Sequence, residues 1–216
     1  GKIDHTPWQW DALDDFTPGY RVGHRTDPNV ESYSDEQLAE FILPETLRIP
    51  KPDYPATRFG ALPDDWDRDD PKKMQEDTQH ANRAITFLQK SYEQPFFLTV
   101  GFWRPHSERI VPKRYFDMYP LEEIKIPSSF KQGDLDDVPG PGKFWATRLG
   151  IHDAVMDAGL LLEYLRSFYA ATSYIDEQIG RVLDALETSP YADNTMIVLA
   201  GDNGFHGGEK THWSKY

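Results

Sequence analysis

Thr195-Met-Ile-Val-Leu-Ala-Gly201 runs directly into Asp202-Asn203-Gly204, and Pro95-Phe-Phe-Leu-Thr-Val-Gly101 runs directly into Phe102-Trp-Arg-Pro-His106. Each is a continuous apolar run of strand length, the pattern of a strand covered on both faces rather than the alternation of one with a wet face. Each is followed at once by polar residues, and in open α/β sheets ligands sit just past the carboxyl ends of the strands. Between the two runs, Tyr164, Phe168, Ala171, Ile175, Ile179, Val182 and Leu186 recur at steps of four, three, four, four, three and four. That spacing predicts one long amphipathic helix over 161–186. Two buried strands joined by a helical crossover indicate an α/β fold with a central, mostly parallel sheet flanked by helices. Both strands are expected to lie parallel and near the middle of that sheet.

Working outward, Pro71 is placed to open a second helix, with Met74, Ala81, Ile85 and Leu88 at helical spacing as far as Lys90. A short helix is expected from Ser34 to Pro44, another around Tyr115, and an edge strand at 124–126, with loop over most of 1–71 and 112–139. The cluster Asp64, Asp65, Asp67, Asp69 and Asp70 lacks the glycine and closing glutamate of an EF-hand loop and reads as solvated chain. A sheet usually has about five or six strands, and the strands that should flank these two are not evident. The expectation is that residues 1–216 form an internal part of one larger catalytic domain.

The chain has 216 residues, with 23 Lys and Arg against 36 Asp and Glu, a formal charge of −13. Such acidity argues against a nucleic-acid partner, whose phosphates call for Lys and Arg. With 38% hydrophobic and 13% aromatic residues the chain can bury a core. No apolar run approaches the ~20 residues that span a bilayer, and neither a membrane span nor a signal peptide is expected within these residues. Cysteine is absent, which removes disulfides, thiolate metal sites and a cysteine nucleophile from this chain.

Three clusters carry the chemistry: Lys2 with His5, Arg104 with His106, and Asp202-Asn203 followed by His206, Glu209, Lys210, His212 and Lys215. Carboxylate and carboxamide oxygens suit a hard cation such as Ca²⁺ or Mg²⁺ better than zinc. Lysine and histidine can bind an oxyanion and assist a departing oxygen. The plainer readings carry weight too. An Asp-Asn-Gly after a strand is by itself more often a turn, and His24, His80 and His152 are assigned no role.

Long motifs settle the balance. Gly1-Lys-Ile-Asp-His5, Gln94 to His106 with Val111-Pro-Lys-Arg-Tyr-Phe-Asp-Met-Tyr-Pro120, and Ala200-Gly-Asp-Asn-Gly-Phe-His-Gly-Gly-Glu-Lys-Thr-His-Trp-Ser-Lys215 resemble the central segment of the type I, formylglycine-dependent sulfatases. The resemblance is strongest to the iduronate-2-sulfatase-like branch. Leu135-Asp-Asp-Val-Pro139 and Ser173-Tyr-Ile-Asp-Glu-Gln-Ile-Gly-Arg181 match between these motifs in the same order. The resemblance implies an alkaline-phosphatase-like fold and hydrolysis of a sulfate ester by a formylglycine beside Ca²⁺. It matches Asp202 and Asn203 to metal ligands, and Lys2 and His5 to residues contacting the formylglycine and the sulfate. His106 matches a histidine near the leaving group, and Lys215 a lysine holding a sulfate oxygen.

The departures are equally specific. The adjacent Asp pair and the Cys-x-Pro-x-Arg or Ser-x-Pro-x-Arg motif of the family are not in this sequence, so the chain alone is expected to be inactive. Ser107-Glu-Arg109 follows His106 where relatives often read a small residue, proline and an aromatic, and Trp103 stands where near relatives carry a polar residue. The competing readings are a phosphoesterase or phosphonate hydrolase of the same superfamily, and a non-catalytic relative that binds sulfated glycans. Asp-Asn in place of an Asp-His zinc pair favours the sulfatase. Among substrates, a sulfated carbohydrate has a modest lead over small aryl or alkyl sulfates. By resemblance to bacterial sulfatases the protein is expected to be periplasmic or secreted. Oligomeric state is not encoded in any feature of the sequence.

Overall fold

The computed structural model describes residues 47–48, 58–62, 75–106, 108–213 and 215. Lys2, His5, His24, the expected 34–44 helix and the Asp64 to Asp70 cluster lie outside the described residues. A three-stranded sheet is built from β1 (Leu47–Arg48), β2 (Arg58–Leu62) and β3 (Arg109–Pro112), in that order. β1 pairs antiparallel with β2, and β2 pairs parallel with β3, Phe59 opposite Arg109 and Leu62 opposite Pro112. Pro112 has no N–H to give the ladder, so the strand ends there. Its φ of −53° leads into α2 (Lys113–Asp117), which follows α1 (Glu76–Leu88) in the chain. Two short helices, α3 (Gly140–Thr147) and α4 (Ile151–Asp157), precede the long α5 (Leu161–Glu187).

α5 has 27 residues, about 40 Å at 1.5 Å per residue, and is the spine against which everything else packs. Toward its N-terminus, Leu161, Tyr164 and Leu165 join Phe59, Ile151, Val155 and Trp213 in one core, where the Phe59 and Tyr164 rings meet edge to face at 5.3 Å. Midway, Ala170, Ala171 and Tyr174 pack against Ala61, Val111, Tyr115 and Phe116. Two alanines in succession let the sheet approach the helix closely. Phe59 and Ala61 share a face of β2 because side chains alternate along a strand. Each large side chain so buried contributes on the order of 1.5–3 kcal/mol. α1 docks alongside: the Tyr174 hydroxyl lies 2.9 Å from Thr78 Oγ1 and accepts the Thr78 N–H, and Arg181 donates to Asn82 Oδ1. No helix among the described residues is long and apolar enough to cross a membrane.

The helix expected over 161–186 is present; of its expected face Tyr164, Ala171, Ile175 and Leu186 are buried and Phe168, Ile179 and Val182 half-buried, while the buried stripe also takes in Ser167, Ala170, Tyr174 and Gln178, and the turn around Tyr115 is α2. Other expectations need correction. Residues 124–126 form no strand: Leu121–Glu123 is a 3₁₀ turn, and extended chain follows it. The apolar runs 95–101 and 195–201 are not strands of the sheet either. Their entrances are tied together, since the Tyr191 hydroxyl donates to the Lys90 carbonyl and accepts the Tyr92 N–H, inside a cluster of Phe87, Tyr92, Phe96 and Tyr191. Beyond that point neither run joins a ladder, and Phe97, Met196 and Val198 are 95%, 90% and 81% exposed. A buried strand needs hydrogen-bonding neighbours on both edges, and the described residues offer these two runs none. A continuous apolar pattern encodes burial without encoding what does the burying.

Candidate active site

His106 is half-buried in the turn that follows the 95–101 run. Its N–H donates to the Trp103 carbonyl (3.1 Å), and the imidazole and indole rings lie 4.4 Å apart, centre to centre. This turn is held from the first turns of α1. The Asp77 carboxylate accepts the N–H of Trp103 on one oxygen (2.5 Å) and that of Arg104 on the other (3.2 Å). Gln75 Oε1 accepts the Arg104 guanidinium (3.1 Å), and His80 Nδ1 sits 2.9 Å from the Gly101 carbonyl oxygen. A carbonyl only accepts, so Nδ1 is the protonated nitrogen of His80. Burial holds the His80 pKa below its ordinary value, keeping the ring neutral near pH 7. The sequence reading gave His80 no role and did not single out Asp77.

Asp202 and Asn203 lie exposed just beyond the 195–201 run, and the Asn203 amide donates to the Gly204 carbonyl, leaving its Oδ1 free of that bond. The loop is then pinned at successive points. Phe205 packs on Phe168 of α5 at 5.3 Å, and Glu209 takes His206 Nδ1 (2.7 Å) on one oxygen and the Gly207 N–H (2.8 Å) on the other. At Gly208, with φ +111°, a Cβ would come within 2.1 Å of the Phe130 ring, so only glycine fits. Lys210 and Thr211 both have positive φ, 52° and 55°. Such a conformation persists in side-chain-bearing residues only where the surroundings impose it, and here Lys210 is clasped. Its N–H donates to Asp134 Oδ2 (2.7 Å), and its ammonium donates to the Asp134 carbonyl and to Asp137 Oδ1, both at 2.8 Å. Trp213, in the core, donates from Nε1 to His152 Nδ1 (3.2 Å). Lys215, half-buried, follows two residues on.

The clasp gives a pH dependence. Hydrogen bonds from Lys210 hold the Asp134 and Asp137 carboxyls below their ordinary range, and those carboxylates hold the Lys210 ammonium above its own. The acid contribution is present above the unfolded carboxylate pKa of about 3.9 and is lost as pH falls through the depressed folded values. The lysine contribution is present below about 10.4 and is lost as pH rises through the elevated one. Amide hydrogen exchange, corrected for intrinsic rates, should therefore show protection of 207–213 that is flat from about pH 5 to 9 and falls at more acidic pH. Lys210→Met should lessen that fall, since it removes the ammonium but keeps the backbone N–H that Asp134 accepts.

Arg109 ties the His106 segment to the Asp202 loop. It starts β3, three residues after His106, and is 2% exposed. Its guanidinium lies over the Phe168 ring at 3.7 Å, over Tyr164 at 4.2 Å and near Phe205 at 5.7 Å. Nε–H donates to Ser167 Oγ (3.0 Å), while Nη1 has no hydrogen-bond partner. Burial lowers its pKa. Aromatic faces stabilise a buried cation, and the departure from an aromatic at this position is accommodated by stacking. His106, Asp202, Asn203 and Lys215 are thus all carried on segments fastened to α1 or α5. Lys2 and His5, the remaining expected members, lie outside the described residues.

Asp202 and Asn203 fit a hard cation in kind, since both present oxygens, but not in number, since Ca²⁺ takes six to eight. Among the described residues no three His, Asp or Glu side chains cluster so as to hold a metal ion.

Comparison with known proteins places these segments in context. A family model described as Sulfatase matches residues 9–216. A protein named Sulfatase from Formosa agariphila is 38% identical over 168 residues, 74% of this chain and 31% of that protein. Iduronate 2-sulfatase from Homo sapiens is 30% identical over 159 residues, 68% of this chain and 29% of the enzyme. The Multifunctional alkaline phosphatase superfamily protein PehA from Trinickia caryophylli is 26% identical over 210 residues, 89% of this chain and 40% of its own length. The chain therefore spans about a third of the length of the curated relatives it matches.

Proposed function

This chain belongs to the sulfatase family, with an α/β fold of the alkaline-phosphatase type, and from that premise we propose that it is an internal part of the catalytic domain of a sulfuric ester hydrolase. The observation that carries the reading is that the family match runs through the His106 turn and the whole Asp202 to Lys215 loop. The exposed apolar runs beside those two segments support it, because a face as apolar as 196–199 is ordinarily covered. In the full-length protein both runs would be interior strands, as their composition implies.

The overall reaction takes R–O–SO₃⁻ and water to R–OH, sulfate and a proton. Breaking the ester bond puts negative charge on the departing oxygen. A protonated imidazole at His106 donates its proton there, so the alcohol leaves neutral. The ammonium of Lys215 neutralises a sulfate oxygen in both ground state and transition state. Asp202 and Asn203 would hold part of the coordination sphere of a calcium ion, which when bound polarises the sulfate oxygens. Lys2 and His5 would contact the sulfate and the formylglycine nucleophile supplied from elsewhere in the protein. The substrate class is a sulfated molecule, with sulfated carbohydrate favoured.

Full-length protein assayed with matched sulfate and phosphate esters tests this. Release of sulfate, lost on chelation of Ca²⁺, is the expected result. Turnover of the phosphate ester alone would make the protein a phosphoesterase, and binding of sulfated glycan without turnover of either ester would make it a binding protein.

A further inference from the structure

The grip of α1 on the turn before His106 reaches further than local stability. Asp77 is 1% exposed, yet it is a carboxylate. An apolar side chain would fill that space without removing a charge from water. What the carboxylate alone provides is two acceptor oxygens at fixed separation, one on the Trp103 amide and one on the Arg104 amide. One helical turn later His80 holds the carbonyl of Gly101, so both residues lie on one face of α1 and fix three successive points of a single backbone turn. His106 closes that turn on Trp103, by its own N–H and by ring contact. The rotation of the imidazole relative to the end of the 95–101 run is therefore set from α1. Contacts across 21 to 27 residues of sequence achieve this.

We propose that Asp77 and His80 are positioning residues for His106: they fix the backbone so that the imidazole addresses the departing ester oxygen, without touching substrate themselves. The inference rests on the reading of His106 as the group that protonates the leaving alcohol.

The test compares kcat and KM of the full-length enzyme on an alkyl sulfate and on an activated aryl sulfate. The variants are Asp77→Asn, His80→Ala, His80→Asn, His106→Ala and the double variant Asp77→Asn with His106→Ala. Asp77→Asn keeps the shape but turns an amide N–H toward one backbone N–H. A misplaced catalytic group loses about 10–10²-fold, so kcat on the alkyl ester should fall by about that factor, and much less on the aryl ester, with KM little changed. His80→Asn keeps a donor near the Gly101 carbonyl and should retain most of the rate that His80→Ala loses. In the double variant, Asp77→Asn should cost less than about twofold beyond His106→Ala, because residues acting through one another are not additive. Equal losses on both esters, or additive losses in the double variant, would overturn the proposal while leaving the role of His106 intact. A His106→Ala enzyme that treats the two esters alike would instead overturn the reading beneath it. Should Asp77→Asn fail to fold, the two His80 variants carry the same comparison.

Discussion

Replacing His106 by alanine in the full-length protein is expected to lower kcat for an alkyl sulfate by roughly 10²–10⁴-fold, the range typical of a general acid, and to harm an activated aryl sulfate far less. An alkoxide is a poor leaving group and depends on receiving a proton as the bond breaks, whereas an activated phenoxide carries the charge itself. The interaction matters only as the bond breaks, so KM should change little. Lys215→Ala should behave differently, raising KM as well as lowering kcat for both esters, because its ammonium meets the sulfate before and during the reaction. Equal losses on the two esters for His106→Ala would make His106 a binding residue.

The second large effect is on folding. Trp213→Ala should destabilise the 216-residue chain by about 3–5 kcal/mol, the usual cost of truncating a buried large aromatic, read from the midpoint of urea unfolding. Trp213 is 3% exposed and meets the Tyr164 ring edge to face at 4.9 Å and the Phe130 ring at 6.0 Å. It also bonds His152, whose Nδ1 would be left without that donor. The same residue seats the loop two positions before Lys215. Trp213→Phe should recover much of the loss, because it restores the ring contact with Tyr164 but not the hydrogen bond. A change below about 0.5 kcal/mol, the ordinary range for surface positions, would show that the loop is not anchored there.

What could be read in advance divides along the range of the interaction. α5 was legible because its apolar spacing is repeated over seven positions, four of them buried in the structure. β2 and β3 were not. Arg58–Leu62 contains a glycine and is followed by proline, and Arg109–Pro112 begins with a charged residue and ends in proline, which argue locally for loop. They are strands because they pair with one another across 50 residues. α3 and α4 escaped for a related reason, each being short, the one beginning at Gly140 and the other capped by Gly150, where helix signals are weakest.

The candidate site shows the same division. His106 and Asp202-Asn203 stood out as polar residues at the ends of apolar runs, but their roles, and that of Lys215, came from the resemblance of the longer motifs to the sulfatases. Asp77 and His80 were not, since an acid in the first turn of a helix is the ordinary complement to its dipole, and a histidine one turn on carries no mark of its distant partner. Arg109 was noticed only as a departure. Its meaning came from Tyr164, Phe168 and Phe205, which no local pattern joins to it.

In the full-length protein the segments ending in His106, in Asp202-Asn203 and in Lys215 are expected to form one sulfate-ester site, with the two apolar runs as interior strands beneath it. A crystal structure of the full-length protein with Ca²⁺ and sulfate measures this directly. The expected result is Asp202 and Asn203 oxygens on the calcium ion, with His106 and Lys215 nitrogens within hydrogen-bond reach of the same sulfate. Asp202 and His106 on opposite sides of the sheet would contradict it.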